Sequence, residues 1–133
     1  MPRFMLDTNI CIHAIKRNEP EIIRRLEKIR PQDVAISCVV AAELWTGVMK
    51  SRERERNERA LNEFLAFVEV LDWPGEAARI YGEIRAALEA KGRPIGAMDL
   101  LIAAHAIHEK ASLATRNRDE FGRVEGLRIE AWD

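Results

Sequence analysis

The chain has 133 residues, of which 47% are hydrophobic and 32% are charged, and its formal net charge is −1. These values exclude a disordered or fibrous chain and predict a single globular domain over residues 1–133. The balanced charge neither indicates nor excludes a nucleic-acid partner, because a local basic patch matters more than the sum.

The two cysteines and the N-terminus bear on where the protein resides. Cys11 and Cys38 lie in apolar stretches and lack the spacing of a redox or metal-binding pair. No apolar run approaches the length of a membrane span, and the first residues lack the pattern of a signal peptide. We therefore expect reduced core cysteines in a cytoplasmic protein without membrane association.

The first predicted element is a buried strand over residues 4–6, which ends at Asp7. Isoleucines then recur at helical spacing as far as Lys16, so a helix is predicted to follow directly. In open α/β sheets, ligands bind at the carboxyl ends of the strands, and Asp7 is placed to hold one. Alternatively, Asp7 or Asn9 only caps the helix.

A second helix is predicted between Asn18, interpreted as its cap, and Pro31, with Pro20 in its first turn. Residues 33–37 are predicted to form the second strand. Residues 39–49 are too long an apolar run for a strand and predict a mostly buried helix.

The next stretch, residues 50–59, alternates basic and acidic side chains, which is typical of a solvated helical face or a turn. Helical spacing resumes over residues 61–68 and breaks at residues 70–73. Another helix then begins at Pro74 and stops at Gly92, which acts as a left-handed cap.

The last third of the chain predicts a buried helix over residues 97–107, a strand over residues 111–115 and an edge strand over residues 127–132. Strands that alternate with helices favour an α/β fold, in which a parallel β-sheet is flanked by α-helices on both faces.

Two carboxylates, Glu43 and Asp99, interrupt apolar helices that otherwise need no charge. A fold retains a buried carboxylate only if it is paired, protonated or bound to metal. His105 lies about 240° around the helix from Asp99, which makes it a poor partner, and it is interpreted as a hydrogen-bonded core residue. Together with Asp7, these acids have no lysine within a helical turn, so a shared cation is the economical solution.

Oxygen ligands without a set of cysteines or histidines favour Mg²⁺, with Mn²⁺ as a substitute, over zinc. Such cations activate water and stabilise charge on an attacked phosphate. The three acids therefore predict a functional cluster suited to phosphodiester hydrolysis.

Four motifs together resemble the PIN-domain ribonucleases and, more closely, the VapC toxins of VapBC toxin–antitoxin pairs. They are FMLDTN at residues 4–9, SxVxxAEL at residues 37–44, GxxDxxIAxHA at residues 96–106 and ATRNxxEF at residues 114–121. The resemblance covers essentially the whole chain in the right order. It implies a PIN-like parallel sheet flanked by helices, with an acidic Mg²⁺ site at the carboxyl ends of the strands.

The resemblance also implies roles for individual residues. Asp7 and Asp99 become the principal metal ligands, and Glu43 completes the cluster directly or through water. Thr8 and Thr115 become hydroxyls that support the site.

A fourth acidic position is open in this chain. Many PIN domains carry an aspartate where this sequence has Asn117, whose amide can order water at the catalytic site but brings no charge. Asp119 or Glu120 can partly compensate, and the sequence does not decide among the three residues or fix the number of metal ions.

As a function, the resemblance implies the toxin of a type II toxin–antitoxin pair, a Mg²⁺-dependent endoribonuclease. Several similar members cut transfer RNA in the anticodon stem-loop. It further implies a homodimer in the bacterial cytoplasm and a cognate VapB antitoxin whose C-terminal tail covers the active site. An RNA needs cations at the rim of an acidic site, and Arg93, Arg116 and Arg118 flank that site in sequence, although ordinary surface charge explains them equally.

Two other functions stay open. A non-catalytic module would use the acidic pocket to accept basic residues of a partner. A Mg²⁺-dependent phosphatase would also place an aspartate at a strand end, but it normally needs an Asp-x-Asp pair, and Asn9 stands at the second position. The large apolar residues of the long helices are interpreted as packing residues, some of which form a dimer or antitoxin groove: Trp45, Met49, Phe64 and Tyr81.

Overall fold

A five-stranded sheet in which every neighbouring pair is parallel forms the centre of the computed structural model, which describes residues 2–133. The strands are β1 Phe4–Leu6, β2 Val34–Ser37, β3 Glu69–Leu71, β4 Ser112–Thr115 and β5 Ile129–Ala131. Their order across the sheet is β3-β2-β1-β4-β5.

Helices connect the strands, as parallel pairing requires. They are α1 Thr8–Lys16, α2 Pro20–Glu27, α3 Cys38–Lys50, α4 Arg54–Phe67, α5 Ala77–Ala90, α6 Ala97–Glu109 and α7 Arg118–Phe121. The predicted α/β fold is confirmed. Among the described helices, none combines the length and the apolar character needed to cross a bilayer.

The middle of the sheet is buried on both faces, which explains its continuous apolar runs. Phe4 pairs with Val34 on one side and with Ser112 on the other. Just beyond β1, the Asp7 backbone N–H donates to the Ala114 carbonyl at 3.1 Å and extends the pairing. The central strands therefore end at one edge of the sheet, where polar residues follow or terminate them.

Strand β3 was not predicted from the sequence, in which residues 70–73 only break a helical pattern. It is three residues long at the sheet edge, and Glu69 and Val70 are exposed. So short an edge strand shows no alternation of apolar and polar residues, and its pairing with β2 determines its conformation.

The predicted cap of α2 was wrong. Glu19 is the N-cap residue and makes no side-chain cap hydrogen bond. The Asn18 Oδ1 instead lies 3.0 Å from Nδ1 of His13, because Arg17 turns the chain with a left-handed φ of 53°. Proline in the first turn of α2 is confirmed.

Candidate active site

Asp7 is both a helix cap and a buried acid at the sheet edge. Its Oδ1 accepts a hydrogen bond from the Ile10 backbone N–H at 2.9 Å, and its Oδ2 accepts one from the Thr115 hydroxyl. The residue is only 4% exposed. Burial raises the pKa of Asp7, the bonds from Thr115 and Ile10 oppose that rise, and the charge of Glu43 adds to it.

Glu43 reaches the same edge from α3. Its Oε1 accepts a hydrogen bond from the Thr8 hydroxyl at 2.5 Å, and Thr8 is the first residue of α1. Thr8 and Thr115 thus each donate a hydrogen bond to one carboxylate of the predicted cluster.

Asp99 lies in the first turn of α6 and is half-buried. Burial, together with the nearby charges of Glu120, Glu43 and Asp7, raises the pKa of Asp99 to about 6. These couplings place three carboxylates within electrostatic reach of Asp99, and two of the three, Glu43 and Asp7, belong with Asp99 to the predicted cluster.

The residues considered for the fourth position differ in their surroundings. Asn117 caps α7: its Oδ1 accepts from the Glu120 backbone N–H at 3.2 Å, and its own N–H donates to Thr115 Oγ1 at 2.9 Å. Asp119 is exposed and forms an ion pair of 3.0 Å with Arg123. Glu120 is the residue whose charge acts most strongly on Asp99.

Two of the three predicted RNA-binding arginines form ion pairs with acids outside the cluster. Arg118 donates to both oxygens of Asp133 at 2.7 and 2.8 Å, and Arg116 lies 3.4 Å from Glu19. Arg93 follows α5 and makes no ion pair within residues 2–133.

The donor set fits a hard divalent cation. Within residues 2–133, no three Asp, Glu, His or Cys side chains converge on one point as the ligands of a bound ion do. The acids nevertheless supply only oxygen donors. Burial and the charges of the neighbouring acids raise the pKa of Asp99, and a divalent cation between the acids would relieve their repulsion. The hydroxyls of Thr8 and Thr115 orient two of these carboxylates, Glu43 and Asp7.

The raised pKa of Asp99 predicts how the metal-free protein responds to pH. An acid whose pKa is higher in the folded state binds more protons there, so it lowers stability once it ionises. In chelator at about pH 7, Asp99→Asn should stabilise the fold by about 1 kcal/mol, which corresponds to about 4 °C in Tm. This free energy is smaller than the pKa shift alone implies, because solvent screens the half-exposed side chain. The gain should shrink as the pH falls from about 6 towards 3.8, the ordinary pKa of the group.

Thermal unfolding of both proteins across that range checks this prediction. The quantity compared is the difference in Tm between the two proteins at each pH. Burial lowers the pKa of His105, so this histidine destabilises both proteins in acid independently of Asp99, and its contribution cancels in the difference. The exposed Asp72→Asn is the matched control. A stability gain of Asp99→Asn that persists unchanged in acid would contradict the raised pKa of Asp99 as its cause.

Comparison with known proteins assigns this arrangement to a family. The PIN domain profile matches residues 4–127. Ribonuclease VapC2 of Rickettsia felis is 45% identical over 131 residues, covering 98% of this chain and 98% of the relative. The tRNA(fMet)-specific endonuclease VapC of Shigella flexneri is 43% identical over 132 residues, covering 99% of each chain.

Solved structures agree. VapBC2 from Rickettsia felis, bound to a DNA fragment from the promoter, superposes with a TM-score of 0.92 at 44% identity and covers 98% of each chain. DNA-bound VapBC from Salmonella typhimurium superposes with a TM-score of 0.94 at 41% identity over 100% of each chain.

Fold and site together define an α/β nuclease-type domain in which Asp7, directly after β1, lies within electrostatic reach of Glu43 from α3 and Asp99 from α6. The chain belongs to the PIN-domain family and, within it, to the VapC ribonucleases. The resemblance carried by the four sequence motifs is thereby confirmed, and divalent metal is the general cofactor of PIN-domain nucleases.

Proposed function

We propose that residues 1–133 form one PIN domain that acts as a Mg²⁺-dependent endoribonuclease on transfer RNA, as the toxin of a type II toxin–antitoxin pair. The observation that carries the proposal is the cluster of Asp7, Glu43 and Asp99 at the carboxyl ends of the parallel strands. A cluster in which burial and neighbouring charges raise the pKa of Asp7 and Asp99 is costly to the fold unless it serves a cation.

In this proposal, Asp7 and Asp99 hold Mg²⁺, for which Mn²⁺ can substitute, and Glu43 binds it directly or through water. When bound, the metal lowers the pKa of a water and stabilises charge on the phosphate. Thr115 and Thr8 fix the orientation of the carboxylates to which they donate. Their hydrogen bonds keep those acids at the sheet edge, where a phosphate can approach.

For the fourth position we propose Glu120 rather than Asn117 or Asp119. The Asn117 Oδ1 already accepts a backbone N–H, and Asp119 faces Arg123. The carboxylate of Glu120 acts directly on Asp99. In this role Asn117 shapes the turn that presents Glu120 and orders water only secondarily.

The proposed substrate is transfer RNA, cut in the anticodon stem-loop. Support comes from the Shigella flexneri relative, which is named a tRNA(fMet)-specific endonuclease. Among the described residues, Arg93 forms no ion pair and is therefore available to contact a phosphate. Arg116 would first have to break its ion pair with Glu19, and Arg118 its ion pair with Asp133.

To test the substrate, the purified, antitoxin-free protein would be incubated with a total transfer RNA pool and Mg²⁺, and the new 5′ ends mapped by sequencing. The proposal predicts discrete cuts confined to an anticodon stem-loop. Cuts scattered over all transfer RNAs would refute the proposed specificity. A folded protein that binds a basic partner tightly but never cuts RNA would instead support the non-catalytic module.

We further propose a VapB-type antitoxin as partner, a homodimer as the assembly and the cytoplasm as the location. Both solved relatives described above are VapBC complexes. A groove of about 280 Å³ between α1, α3 and α4 is mostly apolar and reaches Glu43. It fits an antitoxin tail that carries apolar side chains and a basic group able to contact the acids.

A second groove, of about 390 Å³, contains Phe64 and the 78% exposed Phe67. If the antitoxin also covers this groove, Phe64→Ala and Phe67→Ala should each weaken antitoxin binding by about tenfold or more, as truncation of a buried aromatic anchor does. Calorimetric titration with the cognate antitoxin measures the change.

Trp45, also considered for a groove, is partly buried against the core and lines neither of these two grooves. Met49→Ala is the matched control, since Met49 is 44% exposed and lies outside both grooves. Parental affinity in both phenylalanine variants would remove the second groove from the antitoxin interface.

A further inference from the structure

The fully buried His105 links the helix of Asp99 to the start of the helix of Glu43. Its Nδ1 lies 2.8 Å from the Oγ of Ser37. Ser37 is the last residue of β2 and the N-cap of α3, where its Oγ accepts from the Val39 backbone N–H at 3.2 Å. The contact therefore joins α6 to the sheet edge on which the acids lie.

The hydrogen bond between Ser37 and His105 joins two groups that can each donate or accept. Ser37 Oγ accepts the Val39 N–H, and its single hydrogen can be donated to Nδ1 of a neutral His105. Burial lowers the pKa of His105, which favours the neutral imidazole that can accept it. The other ring nitrogen, Nε2, is buried and bonds no group within residues 2–133. Nδ1 is thus the atom through which this histidine acts.

Asp99 depends on such a link more than the other acids do. Asp7 and Glu43 are each held by a threonine hydroxyl, but no hydroxyl donor to Asp99 is found within residues 2–133. The position of the Asp99 side chain therefore depends on how α6 is held in place. The contacts of α6 must hold Asp99 there despite repulsion from the neighbouring carboxylates. Two side-chain hydrogen bonds fix α6: His105 to Ser37, and Trp73 Nε1 to the Leu101 carbonyl at 2.9 Å.

We propose that His105 is a positioning residue that, through Ser37, sets the separation of Asp99 and Glu43 at which one divalent cation is held between them. This inference rests on the proposed metal-dependent function. It assigns no contact with metal or RNA to His105, since that residue lies on the side of α6 away from Asp99.

Mn²⁺ affinity, measured by isothermal titration calorimetry together with thermal unfolding, tests the proposal without an RNA substrate. In His105→Leu, which has no acceptor, Mn²⁺ affinity should fall by about tenfold, as for loss of an outer-shell partner. In His105→Asn, whose Oδ1 can take the place of Nδ1, affinity should stay within about threefold of the parent. Leu88→Ala, a buried truncation in α5, should lose stability but keep parental affinity.

Ser37→Ala approaches the same bond from the other side and serves if His105→Leu does not fold. Its Mn²⁺ affinity should also fall by about tenfold, and combining the two substitutions should cost little more than either alone. Parental affinity in folded His105→Leu or Ser37→Ala, or an equal loss in Leu88→Ala, would overturn the role of His105. If the parent itself binds no Mn²⁺, the metal site is refuted, and the role of His105 with it.

Discussion

Asp99→Asn should reduce RNA cleavage by roughly 10³-fold or more, since it removes a charged group from the position where transition-state charge must be balanced. The fold should persist, because the substitution removes a half-buried negative charge that the neighbouring carboxylates repel. Burial and this repulsion are what raise the pKa of Asp99. Initial rates of cleavage at saturating Mg²⁺ measure the loss, and circular dichroism follows the fold.

Asp72→Asn again provides the control, since Asp72 is an exposed carboxylate in the loop between β3 and α5. Its cleavage rate should equal that of the parent. Parental cleavage by a folded Asp99→Asn would exclude Asp99 from the reaction, whereas loss of the fold would show that Asp99 is chiefly a structural residue.

Glu120→Gln and Asp119→Asn form a matched pair that decides the fourth position of the site. The first should lower cleavage by about 10–100-fold, because Glu120 lies against Asp99 and contributes charge to the cluster. The second should leave the rate within about twofold, since Asp119 is exposed and pairs with Arg123, and such surface pairs contribute little.

Both rates would be measured on the same RNA at the same Mg²⁺ concentration, with Mn²⁺ affinity as a second reading. The reverse order, with Asp119→Asn the more damaged protein, would transfer the fourth position to Asp119. Parental rates in both variants would leave the site with the three acids Asp7, Glu43 and Asp99.

Much of the fold was predictable because its signals are local. Residues 4–6 are apolar on both faces, as a central parallel strand must be, and Asp7 follows directly. Asp99 is the one charged residue in the apolar run at residues 97–107, which identified it as a candidate functional residue. Strand β3 and the short helix α7 left no such signal, because three or four residues show no period and depend on their neighbours.

The sequence singles out individual acids as candidates, but it does not predict their spatial relations. Asn117, Asp119 and Glu120 all lie within the last motif, and only the turn capped by Asn117 separates the direction of Asp119 from that of Glu120. His105 was correctly predicted to be a hydrogen-bonded core residue. Its partner Ser37, 68 residues away in the chain, could not be identified from helical spacing.

The most direct test of the central claim is cleavage of transfer RNA by the parent protein after complete removal of metal, followed by titration with Mg²⁺. The proposed mechanism predicts no cleavage in chelator and full recovery as Mg²⁺ saturates the acids. Cleavage by the purified protein that continues undiminished in chelator would contradict a metal site built from Asp7, Glu43 and Asp99.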